Sequence, residues 1–215
     1  MTTLQLAANK PLYTIAANWG GGGTGKPAIV FDGSNDYLTS LLTGRLTGAD
    51  VTIFAVISFT SLTAGSGARD MRIMSNESAR YDGGWYIGTS TAGVGGGGTT
   101  CIKVTLGDFD KSYTSNPAVA INTPYLVSIV TGRQLFLNGI KASQGAASGV
   151  IPEIIARAAR FTLGGDGGAS QMFNGALAEL RVYRGKLTGA QRFIVESYLA
   201  AKYGMAAPAA QATTA

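Results

Sequence analysis

The stretch Phe31 to Ser40, FDGSNDYLTS, places Asp32, Ser34 and Asp36 at alternate positions. Oxygen side chains at that spacing are the first three ligands of a helix-loop-helix calcium loop. Such a loop also needs glycine at its sixth place and a bidentate glutamate at its twelfth. Tyr37 and Thr43 stand there instead. Asp-Gly and Ser-Asn are turn formers for plain backbone reasons. The spacing therefore predicts a turn between two strands, with no metal assigned and any calcium peripheral. A looser site, sharing Asp32 or Asp36 with a carboxylate from elsewhere, stays open.

Other reactive residues are sparse. The chain has no histidine, which excludes a Ser-His-Asp triad, a Cys-His pair and His-ligated zinc. A retaining glycosidase needs two carboxylates about 5 Å apart. Asp108 and Asp110, in GDFDKS, form the acidic i,i+2 pair of the sequence, and they fall in a predicted loop. Their reading is loop solvation. No catalytic residue is assigned, and the expectation is a protein that is not an enzyme and carries no cofactor.

Sugar binding asks for less: one or two exposed aromatic rings beside Asp, Asn or Arg. RYDGGWYIG offers Tyr81, Asp82, Trp85 and Tyr86, and DFDKSYTSN offers Phe109, Asp110, Tyr113 and Asn116. The candidate glycan contacts are Tyr81, Asp82, Tyr86, Asp110 and Tyr113. Strand alternation competes with this reading, because it sends Trp85 and Ile87 inward and Tyr86 outward as ordinary packing. A true platform needs a solvent-facing ring next to a carboxylate.

The elements that would position these residues are strands. Glycine, at 31 of 215 residues, is about twice its usual frequency. Charged residues, at 13%, are about half their usual share. That is the composition of many short strands joined by tight turns. A weakly charged surface is more often covered by partners, a hint toward assembly. The net charge of +5 comes from 17 scattered basic residues, without the stripe that nucleic-acid binding uses, so no nucleic acid is expected. Cys101 is the lone cysteine, so no internal disulfide can form; in TTCIKV it reads as a small core residue. No stretch approaches the ~18 apolar residues of a membrane span, and no membrane partner is expected. The N-terminus lacks a basic start followed by an apolar run, which predicts synthesis in the cytosol without a cleavable export signal.

VTIFAVISF (Val51 to Phe59) is apolar almost throughout, so both of its faces should be buried. WYIGTS and CIKVTL read as strands around the loop TAGVGGGGTT, which lacks the ending of a phosphate cradle. Asn138-Gly139, between QLFL and IKAS, predicts a two-residue hairpin. ARFTLGGDG and GALAELRVY give two more strands. LTGAQRFIVESYLAAKYG then changes period. Thr188 and Gln191 form a capping box, and Gly204 is placed as the C-terminal cap. Ile194, Tyr198 and Ala201 share one helical stripe, with Val195, Leu199 and Lys202 beside it.

Three blocks carry a resemblance. GKPAIVFDGSNDYLTS followed by ADVTIFAVISF resembles the start of a laminin-G-like domain of the concanavalin A-like lectin/glucanase superfamily, of the bacterial and bacteriophage variety. QLFLNGIKAS is similar to that family's hairpin, and FNGALAELRVYRGKLTGAQRFIVESYLAAKYG to its closing strand and short helix. The resemblance covers roughly residues 26 to 204. It implies an all-β fold, an antiparallel jelly-roll β-sandwich with a short C-terminal helix. In that frame Phe31, Ile53, Ile57, Ile129, Leu135, Leu137, Leu180 and Val182 are core candidates. The family's glucanases carry a Glu-x-Asp-x-Glu strand. Here the nearest match is AELRV, where Glu179 is followed two residues later by Arg181 and no carboxylate.

The expected organisation is an arm and glycine-rich linker over 1–27, the sandwich over 28–204, and a low-complexity tail over 205–215 with nothing to bury. The arm could be an edge strand or a docking segment. Its Leu4, Leu6, Leu12, Tyr13 and Ile15 are too apolar for a free tail and are the candidate assembly contacts. The resemblance implies a bacteriophage virion structural protein, a capsid decoration or tail or fibre part, with other virion proteins and further copies of itself as partners. Its place would be the virion, after synthesis in the host cytoplasm. The alternative is a lectin-like module that binds a cell-surface glycan.

Overall fold

The computed structural model describes residues 10–17, 25–39, 51–62, 70–76, 85–90, 100–106, 112–114, 118–130, 134–142, 161–166 and 171–208. They form two antiparallel sheets and one helix. The larger sheet holds β1 (Leu12–Ala17), β2 (Lys26–Asp32), β13 (Asn174–Arg184), β4 (Val51–Phe59), β9 (Pro124–Val130), β10 (Gln134–Leu137) and β11 (Ile140–Lys141), in that spatial order. The smaller runs β3 (Leu38–Thr39), β12 (Thr162–Leu163), β5 (Arg72–Ser75), β6 (Trp85–Ser90), β7 (Cys101–Leu106) and β8 (Ser112–Thr114). Helix α1 (Gly189–Tyr203) lies on the outer face of the larger sheet. This is the jelly-roll sandwich with a short C-terminal helix that the sequence implies. No helix among the described residues is long and apolar enough to cross a membrane.

β4 is apolar on both faces because both are covered. Val51, Ile53, Ala55, Ile57 and Phe59 enter the core between the sheets, while Phe54 and Val56 lie in the layer beneath the helix. Each such Val, Ile or Phe contributes roughly 1.5–3 kcal/mol by leaving water. Phe31, Phe59 and Phe173 close one end of the core, with ring centroids 5.6 Å apart in each pair that Phe173 makes. Gly164 is required there: its φ is +85°, and an added Cβ would lie 2.2 Å from the Phe31 ring. Cys101 is buried, as its strand pattern predicts.

Of the core candidates, Phe31, Ile53, Ile57, Ile129, Leu135 and Leu137 are buried, and Leu180 packs partly buried against them. Val182 is the exception, at 38% exposed. It lies opposite Ile53 on the inward row, but the β2 ladder covers β13 only from Asn174 to Leu177, so among the described residues Val182 has no strand on its other flank.

The hairpin and caps follow the sequence. Asn138 and Gly139 have φ of 51° and 79° and join Leu137 to its partner Ile140. Thr188 and Gln191 close the capping box, and Gly204 takes the left-handed conformation. The buried stripe of the helix differs from the expected one. It is Arg192, Glu196, Leu199, Ala200 and Tyr203, while Ile194 and Tyr198 are exposed. The tail also packs more than its composition indicates: Met205 joins the layer beneath the helix and Pro208 is buried.

Candidate functional site

The Asp32–Asp36 segment is a turn. Asp32 Oδ1 accepts the backbone N–H groups of Ser34 and Asn35 at 2.7 and 3.3 Å, and Asp36 Oδ2 accepts that of Asp32 at 3.1 Å. Both carboxylates thus serve the backbone. Burial raises the Asp36 carboxyl above its usual range, partly offset by the Asp32 N–H, with the neighbouring Asp32 charge adding to the rise. No group of three or more metal-ligating side chains occurs among the described residues.

Of the candidate glycan contacts, Tyr81, Asp82 and Asp110 lie outside the described residues, as do Phe109 and Asn116. Tyr113 is in β8, paired with Val104. Tyr86 sits in β6 between Ser75 and Thr105, on the opposite face from core residue Ile87, as alternation predicts. Its ring is nevertheless fully buried, contrary to the expected outward, solvent-facing position. The Arg72 guanidinium lies 3.1 Å from the ring centroid, and Lys103 approaches to 5.8 Å while pairing with Asp70 at 3.6 Å. Desolvated cation–π contact of this kind covers the face that a sugar would need.

Tyr13 is a solvent-facing aromatic residue, at 63% exposed on edge strand β1 and in one row with its partner Ile29. It lines a cleft of about 500 Å³ together with Lys26, Ile29, Glu179, Lys202 and Tyr203. The size falls within the range of small-ligand sites.

A β-bulge in β13 creates this arrangement. Against β4, Leu177 faces the inward Ile57, whereas Glu179 faces Val56 on the helix side. Without the extra residue, strict alternation would aim Glu179 into the apolar core. The ladder to β2 ends at the same point, where Leu177 pairs with Ile29, and the cleft opens beside it.

Glu179 is held at both oxygens. Oε1 accepts Arg181 Nε at 2.5 Å; Oε2 accepts Lys202 Nζ at 2.7 Å and the Tyr203 hydroxyl at 3.0 Å. Burial pushes its carboxyl up, but these donors outweigh that and hold it below the usual range. The Glu179 contact raises the Lys202 ammonium, while burial and then Glu179 raise the Tyr203 phenol. Arg181 also lies 4.8 Å from the Tyr198 ring, which is half exposed on the helix.

Sequence spacing brings Glu179 and Arg181 to one strand face, since residues two apart share it. The return of the helix end, which delivers Lys202 and Tyr203, has no local signal. Of the candidate assembly contacts, Leu12, Tyr13 and Ile15 are exposed on β1, which pairs antiparallel with β2; Leu4 and Leu6 lie outside the described residues. Among the described residues, Leu12–Ala17 of the arm is therefore an edge strand.

Comparison with known proteins agrees with this architecture. Domain 4 of AbnA, an extracellular arabinanase from Geobacillus stearothermophilus solved with arabinotriose, superposes with a TM-score of 0.57 at 17% identity, covering 85% of this chain and 79% of that one. The CBM40 of the Ruminococcus gnavus IT-sialidase, bound to sialyllactose, gives 0.54 at 15% identity over 79% and 95%. The enzymatically active domain of bacteriophage CBA120 tailspike protein 2 gives 0.56 at 17% identity, covering 93% of this chain but 30% of that one. No curated protein matches the chain. A family model described as the concanavalin A-like lectin/glucanases superfamily matches residues 32–191, and with the two-sheet sandwich this means that the chain belongs to that superfamily.

Proposed function

We propose that the protein is a non-catalytic glycan-binding module whose binding site is the cleft between β1, β2, β13 and the end of α1. The observation that carries this reading is a cleft of ligand size lined by exposed Tyr13 and by Glu179, at the point where β2 and β13 part. An aromatic face takes the apolar side of a sugar, and the polar cluster takes its hydroxyls. Two of the similar structures were solved with an oligosaccharide, which supports the reading at the level of the fold. Catalysis is disfavoured because Glu179 is bound by two cations and has no second carboxylate among the described lining residues. Titration calorimetry against a panel of oligosaccharides should find a binder that Tyr13→Ala weakens. Reducing-sugar release from β-glucans, galactans and alginates should stay at the no-protein level. Steady turnover lost on replacing Glu179 or Asp110 would overturn the non-catalytic part.

A second role is favoured by β1 itself. An exposed edge strand bearing Leu12, Tyr13 and Ile15 suits strand addition to a neighbouring subunit. In this reading the module is an assembled structural part of a bacteriophage virion, made in the host cytoplasm, with other virion proteins and copies of itself as partners. Co-purification of the chain with particles, lost when the arm is removed, tests it.

A further inference from the structure

β13 keeps an open flank beside the middle of the larger sheet. It pairs with β4 out to Arg184 opposite Val51, but its ladder to β2 stops at Leu177 opposite Ile29. Pro27, two residues before Ile29, has no N–H with which to continue that ladder. From Leu180 to Arg184 the β2 side of β13 therefore meets no strand among the described residues. Such a row of backbone groups is a template for another strand.

Apolar side chains flank this edge on both faces of the sheet. Val182 lies on the inward row. On the helix side Arg181 lies against the Tyr198 ring, and Ile194, one turn away, continues the stripe; both helix residues are exposed. An added strand sends alternate side chains to opposite faces, so the two surfaces belong to one partner. β1 has the matching pattern. Leu12 pairs with Val30 of the layer beneath the helix, whereas Tyr13 pairs with Ile29 of the inward row, and Ile15 follows it two residues on. Leu12 and Ile15 are 67% and 72% exposed, so neither is used within the chain. The strand LYTIAA carries no charge and sets no cation against Arg181 or Arg184. Within one chain β2 lies between β1 and β13, so the donor of such a strand is a second copy.

Building on the proposed role of β1 in assembly, we infer that its acceptor on the neighbouring copy is the open flank of β13, Leu180–Arg184. β1 of one copy adds to that flank with Ile15 beside Val182 and Leu12 against Ile194 and Tyr198. Donor and acceptor are different surfaces, so the contact is head-to-tail and builds a ring or a filament.

The test follows the full chain by analytical ultracentrifugation. The parent should sediment as an oligomer. Ile15→Ser on the donor and Ile194→Glu on the acceptor should each weaken association by about tenfold or more. Mixed one to one, the two variants retain one working donor and one working acceptor, and they should form a dimer that grows no further. Ile15→Cys and Val182→Cys chains, mixed under mild oxidation, should give a disulfide-linked pair that neither gives alone. Opposed Cβ atoms of an antiparallel pair lie about 4.5–5.5 Å apart, and the native Cys101 is buried. Circular dichroism of each variant separates a lost contact from a lost fold. Ile15→Cys linking to itself, or Ile194→Glu associating like the parent while Ile15→Ser does not, overturns the β13 acceptor and keeps β1 as the assembly strand. A parent chain that stays monomeric overturns both readings.

Discussion

Arg192 and Glu196 are ion-paired inside the molecule: Arg192 Nη1 lies 2.6 Å from each Glu196 carboxylate oxygen, and their side chains are 4% and 1% exposed. The guanidinium also stacks on Phe136, 3.5 Å from its centroid. The pair fastens the helix to the β9–β10 side of the larger sheet through one turn of spacing. A buried pair of this kind is costly to break and cheap to replace whole. Glu196→Ala or Arg192→Ala should each lose about 3–5 kcal/mol in urea unfolding. That corresponds to a fall in Tm on the order of 10 °C for a chain of this size. Arg192→Met with Glu196→Leu should recover most of the loss. Single variants as stable as the parent would show that the pair is not what holds the helix.

The Glu179 cluster sets a pH dependence whose sign can be worked out. The Glu179 carboxyl is lowered in the folded state, so it contributes stability above its unfolded value of 4.5 and loses it as the pH falls through the folded one. The Lys202 ammonium is raised, so its contribution is complete below 10.5 and lost as the pH rises through the folded value. Between those limits the network is fully charged. Glu179→Gln should remove part of the acid-induced drop in Tm below about pH 4.5. An unchanged acid limb in a melting series from pH 3 to pH 7 would show that other carboxylates set it.

Asp36 works in the other direction. Burial raises its carboxyl, so the folded state favours the protonated form and loses that advantage as the pH rises through the folded value. Its oxygen caps the backbone of Asp32, a task that an amide oxygen can perform. Asp36→Asn should therefore be tolerated at neutral pH. Calcium and chelator should leave the melting curve in place, because the Asp32 and Asp36 oxygens already serve the turn. Specific binding at 100 times the dissociation constant would add about 2.7 kcal/mol. A rise of several degrees with calcium, absent in Asp36→Asn, would restore the ion-site reading.

The strands, the hairpin and both helix caps were legible because each rests on a local rule. Alternation and an apolar run mark β4, positive φ marks Asn138-Gly139, and side-chain spacing marks Thr188 and Gln191. The inward parity of Leu180 was also readable, since strict alternation holds on that side of the bulge. The bulge itself was not, because one extra residue in GALAEL leaves no mark in the sequence, and it is what lets Leu177 and Leu180 both face inward although they lie three residues apart. The helix stripe departs from its apolar pattern for a related reason. A hydrophobicity pattern assigns Arg192 and Glu196 to solvent, yet as an i,i+4 pair they neutralise each other and are buried, which turns Ile194 and Tyr198 outward. Tyr86 was placed on the correct face, but its cover by Arg72 comes from a neighbouring strand and could not be read from β6 alone.

The N-terminal strand joins the two proposed roles, and they can be separated by position along it. β1 has one described partner, β2, so deleting residues 1–20 removes an edge and leaves the central strands in place. Holding such a strand in one conformation costs about 1–2 kcal/mol per residue in backbone entropy. Exposed Leu12 and Ile15 offset little of that in the isolated chain and far more if a neighbouring subunit covers them. The truncated protein should therefore keep its sheet signal in circular dichroism, lose self-association in analytical ultracentrifugation, and lose glycan binding with Tyr13. Ile15→Ser should impair association while leaving glycan binding intact, since Ile15 is not among the described lining residues of the cleft. Tyr13→Ala should weaken glycan binding in the monomer as well as in any assembly. Normal association of the truncated chain would sink the docking role of the arm, and unfolding on truncation would show that β1 belongs to the cooperative core.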